Sequence, residues 1–407
     1  MGRGWLTPQL ALLLAHAVLV QLVSYAMRPA ISYAILDLGF GPVWLGVATA
    51  AFAVPPLLLA IPSGRLTDRF GERAPLAMGG AAYVGAVVMA LLWGTTLFGL
   101  IAATVLLGLG VLWSVVGEQA WVMRDAPGGR LDAVFGIYTF ATSSGQMLGP
   151  FLLALPGGSP QSPPFELVSW CCLGASAAVL VLALLVRSTR RLADDERDAT
   201  PERLAPAAWR LLRRPGVVSA LVTSSLVLSS LDIALAYLPL LAQERSFAPW
   251  VLTALLVARG LATMVSRLSL GRLTGAFGRR RVLIVGSLLS AVGLAALALP
   301  VHPVLLVLAM VVYGLAAGTV QPLTMSWMTM LTPRHQRGVG ASMRLVGNRA
   351  GQTAIPLLVA AISALGGAAV VFAFTGLSLV ASAWLSRVAP NDATSDDDAI
   401  GDAASEP

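Results

Sequence analysis

The sequence predicts an all-α membrane protein with twelve transmembrane helices in two parallel six-helix repeats. Three observations lead there: a shortage of charge, a recurrence of long apolar runs, and a duplicated motif. Of the 407 residues, 57% are hydrophobic and only 12% are charged. A soluble domain carries about 25% charged residues, so something has excluded charge from this chain, and a bilayer does that. A helix needs about 20 apolar residues to cross about 30 Å of hydrocarbon. Such runs fall at 9–36, 43–62, 75–93, 97–121, 133–155, 165–186, 216–242, 249–270, 282–300, 304–330, 341–363 and 368–386.

The first run, from Gln9 to Leu36, is too long for a signal-peptide core and reads as the first span. The formal net charge is +7, and all 27 basic residues are arginines. They lie in short connections between apolar runs, which makes them topology signals and excludes nucleic acid as a partner. One set of connections carries Arg65, Arg69, Arg73, Arg124, Arg130, Arg187, Arg272, Arg279 to Arg281, Arg334 and Arg337; the other carries only Arg245. The asymmetry places both termini and the central loop in the cytoplasm of a bacterial inner membrane. The chain divides into a first half (1–186), a charged central loop (187–215), a second half (216–389) and an acidic tail (390–407) that reads as disordered.

Self-similarity fixes the repeat. GRLTDRFGERAPL at 64–76 matches GRLTGAFGRRRVL at 271–283, eight of thirteen positions being identical at an offset of 207. GQMLGPFLLA at 145–154 matches GQTAIPLLVA at 351–360 at an offset of 206. The first pair follows the second span of each half, and the second pair lies in the fifth span. An even number of spans preserves orientation, so the repeats are parallel, with a site expected between them near mid-membrane.

The first motif resembles the loop signature of the major facilitator superfamily, G-x-x-x-D-R-x-G-x-R, through Gly64, Asp68, Arg69, Gly71 and Arg73. The second copy keeps Gly271, Gly278 and Arg280 but has Gly275 and Ala276 in place of the Asp-Arg pair. The resemblance implies a secondary transporter and leaves the substrate open, since this fold carries sugars, drugs, amino acids and anions alike. It implies that the loop gates transport through charge contacts with the opposing half, Asp68 facing Arg344 or the start of span 11. Glu118 is the expected acidic partner of Arg69 or Arg73. A static cap on a tight turn is the alternative. Gly145, Gly149 and Pro150 resemble a drug–proton antiporter signature, although the residues after the proline do not continue it; close helix packing explains the same spacing.

Ionisable residues inside spans cost about 2.5–3.5 kcal/mol each on insertion scales. Asp232, in span 7, is the candidate proton-coupling carboxylate; permanent pairing with Arg28 or Arg259 is the structural alternative. Arg28, Arg259 and Arg349 are candidate substrate contacts, with Gln146, Gln321, Asn348 and Gln352 as further cavity donors. His16 reads as a packed histidine. Two functions follow: proton-coupled efflux of a lipophilic compound through a mostly apolar cavity, or import or exchange of a small organic anion. The resemblance favours the proton over sodium as coupling ion and a monomer as the working unit. No H-E-x-x-H, G-x-S-x-G or Walker loop is present, so no enzyme is expected. Adjacent Cys171 and Cys172 have no metal or redox spacing, and no cofactor or metal is expected.

Overall fold

The structure, a computed structural model, describes residues 7–125, 131–187, 209–332 and 337–389. The expected tail at 390–407 and most of the central loop lie outside the described residues. Among the described residues there are eleven long helices: α1 (Pro8–Asp37), α2 (Val43–Phe70), α3 (Arg73–Trp93), α4 (Leu97–Asp125), α5 (Leu131–Leu148), α6 (Phe165–Leu185), α7 (Val217–Glu244), α8 (Pro249–Phe277), α9 (Arg279–Ala295), α10 (Pro303–Leu331) and α11 (Arg337–Leu385). Ten of them are long and apolar enough to cross a membrane; α5, with 18 residues, is the exception.

Helix ends follow local chemistry. Proline occupies the first turn of α1, α8 and α10, where its missing N–H would have no partner anyway. Thr7 accepts a hydrogen bond from Leu10 N–H at 3.2 Å and caps α1. Helices α2 and α8 run beyond their expected spans and stop at the motif glycines. Gly71 (φ 78°) and Gly278 (φ 77°) both take a backbone conformation that side chains disfavour. Each N–H closes the helix on a threonine four residues back, Thr67 at 2.9 Å and Thr274 at 3.0 Å. The two motif copies therefore build the same turn.

The expected fifth span is continuous in sequence but not in geometry. At Gly149 the α-helix tightens into a 3-10 segment, Gly149–Ala154, where Pro150 cannot donate to the ladder. The expected break between 363 and 368 is present inside α11, where Gly366 and Gly367 leave helical geometry and Gly367 has φ 63°. The Glu244 carboxylate, from the end of α7, accepts the Ala368 N–H at 3.0 Å and caps the helical segment that follows.

Polarity is inverted relative to a soluble protein. Leu58, Phe98, Leu268, Leu365 and Leu377 are exposed, whereas many serines and threonines are buried. Several buried hydroxyls return to their own helix, as in Thr49 to Leu45 O at 2.7 Å and Thr104 to Leu100 O at 2.8 Å. Apolar surface facing outward suits a lipid solvent. Small residues bring helices together. A side chain on Gly145 or Gly149 would collide with the α1 backbone at Val18 and Leu22, so the Gly-x-x-x-Gly of α5 is a close-packing face against α1.

The first six helices pack among themselves, α3 on α4 and α6, α1 on α4, α5 and α6. The later five do likewise, α7 on α11, and α9 and α8 on α10. The two sets meet through α2 against α11, α5 against α8, and α1 against α7.

Candidate functional site

Where the two sets meet, α1, α5, α7, α8, α10 and α11 surround a cavity of about 150 Å³. Its lining is polar: Tyr25, Gln146, Asp232, Arg259, Thr263, Arg267, Gln321 and Gln352, with Leu228, Leu231, Ala317 and Gly318 as the apolar part. The mostly apolar cavity expected from composition is not found. The apolar residues that dominate the composition face outward or lie between helices, and the polar ones are gathered here.

Asp232 anchors the site. Its Oδ1 lies 2.8 Å from Arg28 Nη1, and its Oδ2 accepts a 2.7 Å hydrogen bond from Gln352 Nε2. Gln352 Oε1 in turn accepts from Arg349 Nη1 at 3.1 Å. Of the two partners considered for Asp232, Arg28 takes the ion pair and Arg259 does not. The Arg28 guanidinium also sits 4.1 Å from the centre of the Phe52 ring, on α2. This chain of contacts joins α1, α2, α7 and α11, and it crosses from one helix set to the other. An ion pair out of bulk water is strong only while both partners stay in place.

Arg259 and Arg267 stand apart from that pair. Arg259 is 3% exposed, lies 5.5 Å from the centre of the Tyr25 ring, and keeps Nη2 without a hydrogen-bond partner. Arg267 donates to Ser143 Oγ of α5 at 2.7 Å and to Gln321 Oε1 of α10 at 3.1 Å, leaving Nε without one. Among the described residues neither is in ion-pair contact with a carboxylate. Counting Arg28 and Arg349, four guanidinium groups surround one carboxylate. Gln146 borders the cavity and donates to Gln21 at 3.3 Å; buried Asn348 has no partner for its Oδ1 and is not among the lining residues.

The motif loop is arranged differently from expectation. Asp68 pairs with Arg124 of α4 at 2.9 Å, within its own helix set, rather than with Arg344. Arg124 also holds the buried Glu72 at 2.8 Å. Glu118 does not reach Arg69 or Arg73. It is fully buried, bound to His16 Nδ1 at 2.7 Å and to the Tyr138 hydroxyl at 2.8 Å. A side chain on Gly64 or on Gly271 would meet nothing within 4 Å, and Arg69 rests against the ring of Phe70. Cross-set hydrogen bonds among the described residues begin at Arg267 and Ser143 and continue to the end opposite the motif loops. There Gln243 donates to Asp37 at 2.7 Å, a carboxylate that also accepts from Ser162 of its own set at 2.8 Å, and Thr253 donates to Pro150 O at 2.9 Å.

The family model for the Major Facilitator Superfamily matches residues 13–268 and again 250–403. The chain belongs to the Major Facilitator Superfamily. It is accordingly a multi-pass membrane transporter and not an enzyme. Among curated proteins there is no match. Solved structures carry the same fold at low identity. A D-xylose–proton symporter superposes with a TM-score of 0.75 at 15% identity, over 94% of this chain and 98% of that one. The nucleoside transporter NupG gives 0.73 at 15%, over 93% and 98%. A POT family transporter in complex with a thioalcohol-conjugated peptide gives 0.74 at 15%, over 92% and 94%.

Within this superfamily member, sequence reasoning found Asp232, Arg28, Arg259, Arg349 and the glutamines because each breaks an apolar run. It missed Arg267, three residues from the expected end of span 8. It also missed Tyr25 and Thr263, which look like ordinary span residues. The one signal for Arg267 was its position eight residues after Arg259, about two turns along the same helix.

Proposed function

We propose that the protein is a proton-coupled secondary transporter of a small polar solute, working by alternating access between two parallel six-span repeats. Twelve spans follow if α5 is counted with its 3-10 continuation and α11 is divided at Gly366–Gly367. The packing supports the repeat: under a six-helix shift, α2 against α11 becomes α8 against α5, and both contacts exist. The arginine-rich connections place the motif loops and both termini on the cytoplasmic side of a bacterial inner membrane. On that reading the Gln243–Asp37 and Thr253–Pro150 contacts lie on the outer side of the cavity.

The observation that carries the proposal is the Arg28–Asp232 pair, which joins the two helix sets beside the cavity. Protonating Asp232 removes the charge that holds Arg28 and loosens one tie between the repeats. Proton and solute are thereby linked to the same rearrangement. The xylose symporter among the structural relatives offers a precedent for proton coupling in this fold. The loop of Gly64, Asp68, Arg69, Gly71 and Arg73 then acts as a gate, Asp68 exchanging Arg124 for the start of the eleventh span in the other state.

Efflux of a lipophilic compound is the weaker substrate reading. It rests on Gly145, Gly149 and Pro150, whose packing against α1 accounts for them, and the polar lining opposes it. Reconstituted vesicles containing a pH-sensitive dye provide the test, with lactate, succinate, xylose, uridine and tetraphenylphosphonium added outside in turn. A polar solute should drive proton movement in the wild type and not in Asp232→Asn. Proton movement of equal size in the variant would remove Asp232 from coupling, and a response to tetraphenylphosphonium alone would restore the lipophilic reading.

A further inference from the structure

We infer that the cavity is an anion site, with Arg259 and Arg267 as its binding groups and a small organic carboxylate as its ligand. The inference rests on the transport reading, since it names the substrate class for the same cavity. Three observations support it.

The first is the charge balance. A buried arginine is not relieved by losing its proton, because its guanidinium stays charged. It needs a counter-charge or strong hydrogen bonds. The one carboxylate bordering the cavity is committed, both of its oxygens being occupied by Arg28 and Gln352. Arg259 has an aromatic face and an unpartnered Nη2; Arg267 has two neutral acceptors and an unpartnered Nε. An entering anion meets donors that no described residue satisfies.

The second is shape. A guanidinium presents a planar fork that fits a carboxylate with two parallel hydrogen bonds. The cavity volume of about 150 Å³ equals roughly five water molecules' share of liquid volume. That space takes a short organic acid. Tyr25, Thr263, Gln146 and Gln321 remain to bind hydroxyl or carbonyl groups on the rest of the solute.

The third is linkage. Arg267 belongs to α8 and holds Ser143 of α5, so it is itself a bridge between the repeats. A carboxylate on Arg267 competes with Ser143 and Gln321 for the same donors. Ligand at Arg267 and proton at Asp232 thus each loosen a different cross-repeat tie, one on α5–α8 and the other on α1–α7.

The experiment is binding to the purified full chain at constant ionic strength. The probes are sodium lactate, succinate, benzoate and phosphate, with glycerol as the uncharged comparison, read by thermal stability and calorimetry. At least one carboxylate should bind saturably while glycerol does not. Arg259→Gln and Arg267→Gln should each weaken that affinity tenfold or more. Binding is read without a proton gradient, so saturable carboxylate binding with no coupled proton movement in vesicles would fail the proton-coupling reading and leave this site standing. Should the arginine variants fold poorly, phenylglyoxal labelling of the wild type replaces them, followed by peptide mass spectrometry. Carboxylate should protect Arg259 and Arg267, whereas exposed Arg65 stays reactive. Absence of saturable carboxylate binding would overturn the inference. So would unchanged affinity in both variants, labelling without protection, or a response to phosphate only.

Discussion

Two clusters of buried charge lie in this molecule, built from similar ingredients and put to different use. One is His16, Glu118 and Tyr138 on α1, α4 and α5, all within the first helix set and each at most 4% exposed. The other is Arg28, Asp232, Gln352, Arg349, Arg259 and Arg267, spread over both sets around the cavity. In the first, one carboxylate meets one imidazole and one phenol, and movement of one set against the other leaves every contact intact. In the second, cations outnumber the carboxylate and the contacts cross the line along which the sets would part. The contrast teaches that burial alone does not mark a functional charge. A buried charge whose partner sits on the other moving body is the one that can report or drive a transition.

The comparison can be broken by mutation. The largest expected effect is on transport in Asp232→Asn: proton-driven accumulation should disappear while the protein still inserts and elutes as a folded species. Vesicle uptake and size-exclusion profiles, measured together, check both halves of that statement. Glu118→Gln should do the reverse. It weakens the acceptor shared by buried His16 and Tyr138, and a hydrogen bond to a charged group is worth about 1.5–3 kcal/mol, so the melting temperature should fall while transport per folded molecule persists. If Glu118→Gln instead abolished proton coupling with its melt unchanged, the two clusters would have to exchange roles.

Smaller effects sharpen the picture. Asp37→Asn weakens a junction that receives hydrogen bonds from Ser162 and Gln243. At about 1 kcal/mol for a typical hydrogen bond, it should shift the balance of conformations severalfold toward opening at that end. The rate of thiol labelling at a cysteine placed at Gly41, in a chain lacking the exposed Cys171, would register the shift. Asp68→Asn removes an ion pair whose carboxylate side chain is 74% exposed. Screening makes such a pair worth little, so stability should hardly change. Any loss of transport in that variant then belongs to gating, and full transport would reduce the loop to a structural turn.

Much of this was readable in the sequence, for identifiable reasons. Apolar runs report spans because unsatisfied backbone is intolerable in lipid, and the duplicated glycines report turns because few residues other than glycine accept φ near 78° at Gly71. Asp232 and Arg28 stood out because charge in a span is rare. Their pairing was one of two alternatives the sequence left open, and only the folded chain chooses Arg28 over Arg259. Asp68 with Arg124 and His16 with Glu118 were not among the pairs expected, because residues far apart in sequence meet only in the folded chain. Cavity polarity was misjudged because composition sums every face of every helix, and lipid-facing surface dominates that sum.

One close approach has a mechanical consequence. At Gly46, three residues into α2, a side chain would lie 2.5 Å from both the Ala360 Cβ and the Pro356 carbonyl oxygen of α11. Two helices that touch backbone to backbone can roll on one another but have little room to slide. Gly46 is thus placed as a fulcrum near one end of a long lever. Gly64 lies 18 residues further along α2, about 27 Å at 1.5 Å per residue. A roll of about 10° at Gly46 would carry the motif end through roughly 5 Å, enough to admit or expel a small solute while the pivot itself barely moves.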